Sequence, residues 1–184
     1  MEDYQQLLQA QTQLVQDWKN QSEDALCWKP GPQSWSVLEC LAHLNRYATY
    51  YLPRLEKAAS KTPGNGWADF KSGTLGGYFV RSIKPGSKPF KTPNKLDFNG
   101  KELSKAELDI FLANQAKYLA LASQLDGVNL RRNKIVIEVL PILRMKIGDA
   151  FLFNLYHQER HLLQASQVLK LQQTQGTREP GLAG

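Results

Sequence analysis

The chain has 184 residues, enough for one domain with a buried core, and its 42% hydrophobic and 10% aromatic content fits an ordinary globular protein and argues against disorder except at the ends. No apolar run approaches the ~20 residues that cross a bilayer, and the first residues are acidic and polar, so no membrane partner and a cytoplasmic location are expected. The net charge of +6 sits entirely between Lys61 and Lys101, where eight basic residues face Asp69 and Asp97, while the rest of the chain is neutral.

The first helix is predicted from about Tyr4 to Trp18, with Leu7, Leu8, Leu14, Val15 and Trp18 on one side and glutamines on the other. A polar stretch and a turn rich in Pro and Gly lead to Ser36, which with Glu39 forms a capping box for a second helix reaching about Ala59, kinked at Pro53. Residues 61–102 show no helical period and read as a basic insert, in which Tyr78 to Val80 is a short strand. Ser104 and Glu107 give a second capping box, opening a third helix that stops before Asp126-Gly127. The β-branched run Ile135 to Val139 predicts a short strand able to pair with Tyr78 to Val80. A fourth helix runs from near Ile147 to about Leu171. The expected architecture is all-α: a four-helix bundle with long crossover connections and a small β-hairpin in the insert. Residues 1–172 form its single domain, and 173–184 a flexible tail.

His43, His157 and His161 are the only histidines. His157 and His161 stand one turn apart on the fourth helix and share a stripe with Ala150, Phe153, Asn154, Gln164 and Val168, so they face inward. Buried imidazoles need partners, and a cation is one way to satisfy them. On the second helix His43 shares a stripe with Ser36, Glu39, Cys40, Tyr47 and Tyr50. Glu39 is one turn before His43 and is a candidate to orient it, since ligating histidines give their other N–H to a carboxylate or carbonyl. Cys40 is a conceivable fourth ligand, but reads better as a small buried residue. Three neutral imidazoles plus water is the ligand count of a catalytic site. The metalloprotease pattern H-E-x-x-H is not met, because Gln158 follows His157 and Glu159 lies about 200° around the helix from it. Cys27 and Cys40 lack the spacing of a disulfide framework, which fits a reducing compartment.

Trp28-Lys-Pro, Trp35-Ser-Val-Leu-Glu-Cys-Leu-Ala-His43-Leu, a late Gly148 and His157-x-x-x-His161 together resemble the DinB/YfiT-like superfamily over nearly the whole chain. The resemblance implies a four-helix bundle with a divalent metal on His43, His157 and His161. It also implies a transferase using low-molecular-weight thiols, or a hydrolase. The basic insert departs from the better understood members and leaves the substrate open.

The expected function is therefore a metal-dependent transferase or hydrolase acting on a small molecule, with Glu39, Tyr47 or Asn154 orienting the substrate. The cofactor is a divalent ion, zinc or nickel first, with iron or copper also suited to imidazole. The alternative is a binding module without catalysis, in which the insert engages a partner and the metal is structural. The insert reads as a lid drawing an anionic substrate, with Trp67, Phe70 and Tyr78 as apolar walls. Pro85, Pro89 and Pro93 argue against a nucleic-acid recognition helix. Phe151, Leu155 and Leu162 lie on the far face of the fourth helix, where neighbouring helices or a homodimer must cover them.

Overall fold

Leu8, Val15 and Trp18 recur along one side of α1 (Tyr4–Trp18) and are buried, as the spacing of its apolar residues requires. The structure is a computed structural model that describes residues 4–61, 63–88 and 91–176. After α1 comes a one-turn helix, α2 (Glu23–Cys27), between the polar stretch and the turn rich in Pro and Gly. Its signal was Ser22, whose hydroxyl accepts from Ala25 N.

The long helix α3 (Val37–Ala59) opens on the expected capping box. Ser36 Oγ accepts from Glu39 N at 3.1 Å, and Glu39 Oε2 accepts from Ser36 N at 2.7 Å. Such a cap is worth about 1 kcal/mol. Pro53 is exposed and lies within one continuous helix. The second predicted box fails: α5 (Ala106–Leu125) has Lys105 at its N-cap with no side-chain cap. The carboxylate of Glu107 is taken instead by Asn45 Nδ2 of α3 at 2.8 Å, so a bond between helices displaces the local one.

The insert departs most from expectation. Tyr78 to Val80 is not a strand but part of α4 (Thr74–Ile83), which packs against α6 (Ile147–Gly176). Gly76 and Gly77 lie in the segment expected to lack a helical period, yet they are buried in this helix. A Cβ at Gly76 would overlap the Asp149 carboxylate, so the glycine permits close approach rather than a bend. Asp149 in turn accepts from Ser72 Oγ and, at 3.0 Å, from Gly73 N, fixing the start of α4 on the first turn of α6.

The β-hairpin lies outside the insert. β1 (Lys134–Ile137) pairs antiparallel with β2 (Leu140–Lys146), with Ile135 opposite Met145 and an irregularity after Val136. β2 runs directly into α6, which reaches Gly176, beyond the residue where the tail was expected to start. Residues 177–184 of that tail lie outside the described residues.

Four long helices, α1, α3, α5 and α6, make the bundle, with α3 packed on both α5 and α6. Two apolar clusters fill it. One gathers Tyr51, Leu55, Tyr118, Phe151 and the inner face of the hairpin, and the other Trp18, Leu38, Leu41, Phe111 and Leu162. The far face of α6 is covered within the chain: Phe151, Leu155 and Leu162 are each about 1% exposed. That face therefore supplies no reason of its own for a homodimer. Among the described residues no helix is long and apolar enough to cross a membrane.

Candidate metal centre

His43 on α3 falls between Leu41 and Leu44 of one cluster and Tyr47 and Ala48 of the other. His157 and His161 stand at the matching level of α6, between Tyr156 and Leu162. The α3/α6 contact thus brings together residues more than 110 positions apart. His43 Nε2 lies 3.2 Å from His157 Nε2, and one nitrogen from each of the three rings lies within 4.8 Å of the others. Two imidazoles at ~2.0–2.1 Å from one tetrahedral ion would sit about 3.3 Å apart, so the His43–His157 spacing is that of a ligand pair.

The partners of the other ring nitrogens set the tautomers. His43 Nδ1 donates to the Leu96 carbonyl at 2.8 Å, and His161 Nδ1 donates to Gln164 Oε1 at 3.0 Å. In both rings Nε2 is therefore left with its lone pair free. His157 has its ring packed between Tyr47 and Phe153, at centroid distances of 4.3 and 5.6 Å. Its Nδ1 is buried with no hydrogen-bond partner among the described residues, so packing and the Nε2 contact with His43 hold the ring. Trp35 stacks on His161 at 5.6 Å and meets His43 edge-on at 4.9 Å.

Burial is the main influence on the imidazoles' basicity. Desolvation pulls His43 down to about 4 against the opposing effects of the Leu96 bond and Asp97. His161 is pulled down to about 3, by burial first and then by His43. His157 is held well below its ordinary value by burial and by the two neighbouring imidazoles. The guanidinium of Arg160 lowers both His157 and His161 further. All three are neutral at pH 7, the state that ligates a metal. The donor set fits a divalent ion, and among the described residues no fourth His, Cys, Asp or Glu joins it.

A cavity of about 420 Å³ opens onto these three rings. Its apolar walls include Trp35, Tyr47, Phe79, Ile83, Val139 and Phe153. Its polar lining is Gln33, Ser82, Lys91, Thr92, Arg160 and Gln164, and among the described residues no carboxylate lines it.

Compared with known families, residues 6–165 match the DinB superfamily. The chain belongs to the DinB superfamily. No curated protein and no solved structure matches it.

Within this DinB bundle the sequence candidates separate. Tyr47 reaches the cavity, and burial pushes its hydroxyl well above the ordinary value, keeping it a phenol. Asn154 faces the core, where Oδ1 accepts from Tyr118 and Nδ2 donates to Ala150 O. Glu39 does not orient His43. Its carboxylate holds Ser36 N, Lys29 Nζ at 3.0 Å and Gly100 N at 2.6 Å, and the Leu96 carbonyl takes its expected place. Cys40 is fully buried, outside the histidine group, and burial raises its thiol far above the usual range.

The DinB insert walls the cavity with other residues than expected. Trp67 and Phe70 are half-buried and pack against the core, and Tyr78 is 54% exposed, while Phe79 and Ile83 line the space. Phe79 and Ile83 are four apart on α4, a signal hidden by reading this segment as extended. Trp35 and Arg160 were also missed as site residues; Arg160 had its place in the sequence beside His161 as a pointer.

Proposed function

We propose that the protein is a metal-dependent enzyme that binds a small, anionic molecule at His43, His157 and His161, as a transferase using a low-molecular-weight thiol or as a hydrolase. The observation that carries this is a three-imidazole donor set at the floor of a 420 Å³ cavity, with no fourth protein ligand among the described residues. A closed, four-ligand group would have favoured a structural ion.

A divalent ion bound there would ionise a thiol or lower the pKa of water to ~7, supplying a nucleophile at neutral pH. Three imidazoles suit zinc and nickel, and also iron and copper. The chain's own residues do the rest. Leu96 and Gln164 hold two rings with Nε2 turned to the centre. Trp35, Phe79 and Phe153 exclude water and offer apolar contact, and Tyr47 presents a phenolic proton at the wall. Lys91 and Arg160 give the cavity a positive potential that favours an anion. That α4 and residues 91–93 form part of the wall supports the lid reading of the insert over an independent binding surface.

The test uses cobalt-loaded protein. A low-molecular-weight thiol should add a sulfur-to-cobalt charge-transfer band that His157→Ala abolishes. A spectrum untouched by thiols, together with no metal-dependent ester or amide hydrolysis, would remove the proposal.

A further inference from the structure

Arg160 has five N–H donors, and among the described residues its one hydrogen bond is a long one, from Nη1 to the Lys84 carbonyl at 3.5 Å. No carboxylate pairs with it among those residues, although it is half-buried in the wall of the cavity. It precedes His161 on α6 and lines the same cavity as the three imidazoles that would hold a cation. A guanidinium beside a divalent ion is unfavourable unless an anion lies between or beside them. Among the described residues the lining contains no acid that could serve, which leaves that place to the ligand.

We propose that Arg160 is the specificity-determining residue of the cavity and that the substrate is a small organic acid. Its carboxylate pairs with the Arg160 fork while its other end reaches the three imidazoles. This rests on the metal-dependent reading above. The planar fork matches a carboxylate through two parallel N–H···O bonds. Ser82, Thr92 and Gln164 provide neutral hydrogen-bond partners, and the aromatic walls accommodate a carbon skeleton. A phosphate would call for more fixed cations than this wall has, since Lys91 is exposed and Arg160 stands in the wall without another guanidinium.

The experiment measures, by calorimetry, binding of a series of ω-mercaptoalkanoates of rising chain length to zinc-loaded protein. Each acid is compared with its primary amide and with the matching mercaptoalkylphosphonate. At one preferred length the acid should bind about ten-fold tighter than the amide, a preference that Arg160→Gln reduces to less than about two-fold. Arg160→Lys should retain part of it, because charge survives and the fork does not. Zinc content and thermal midpoint are read on every variant and should stay near those of the parent. An acid no tighter than its amide, an acid preference that survives Arg160→Gln, or a phosphonate that binds tighter than the acid would each overturn the assignment. Failure of the parent protein to hold zinc would instead strike the underlying metal-dependent reading.

Discussion

His43 Nδ1 donates to the carbonyl of Leu96 at 2.8 Å, across 53 positions of sequence, and this bond joins a candidate metal ligand of the bundle to the basic insert. Leu96 ends a single 3₁₀ turn (Asn94–Leu96) and is fully buried, so the insert is anchored at the point where it orients the His43 ring. The segment that carries the charge thus also sets a tautomer.

Leu96→Ala should therefore act twice. Removing a fully buried leucine side chain costs about 2–5 kcal/mol, read by denaturant unfolding. Loosening the carbonyl should also weaken zinc binding at least ~10-fold, the usual effect of losing a ligand's orienting partner. Unchanged zinc affinity in a destabilised variant would show that the insert does not tune the site.

One divalent ion should bind per chain. Elemental analysis of protein purified without a histidine tag should give about one equivalent, falling to a trace in His43→Ala and His157→Ala. Equal metal content in parent and variants would dismiss the site.

The buried imidazoles make an acid-sensitive apoprotein. Unfolded histidines take up protons below about 6.5, whereas His43 does so only near about 4 and His161 near about 3 when folded. Between those values the unfolded state binds more protons. Apoprotein stability should be full above pH 6.5 and fall steadily from there towards pH 3. Metal retention should by the same shifts persist below the ordinary imidazole value, with release nearer pH 4. Release centred on pH 6.5, measured by dialysis and elemental analysis, would contradict the burial described here.

Gly148 lies where α6 starts, and a Cβ there would come within 2.5 Å of the Phe70 ring. Phe70 is also packed edge-on against Trp67 at 5.4 Å, so the ring cannot simply withdraw. Gly148→Ala should cost about 1–3 kcal/mol of stability. A variant as stable as the parent would mean that the insert moves off α6 easily.

The bundle and the histidines were legible in the sequence because their signals are local. Apolar residues at helical spacing mark α1, α3, α5 and α6, the Ser36–Glu39 box marks the start of α3, and an i, i+4 pair marks one face of α6. Those periods also place His43, His157 and His161 on inward stripes, and the DinB-like motif order links them.

Partner choice was not legible, because short-range patterns compete with contacts that arise only in the folded chain. Gly76 and Gly77 look like breakers until Asp149 is seen against them, and Glu107 looks like a cap until Asn45 takes its carboxylate. Glu39 looks like a ligand's partner until Lys29 and Gly100 claim it. The sequence by itself determined the four long helices and the inward placing of the three histidines. Tertiary packing alone decided that α4 folds onto α6, that Leu96 orients His43, and that Arg160 faces a cavity in which no described residue supplies an acid, since each depends on contacts between residues distant in the chain.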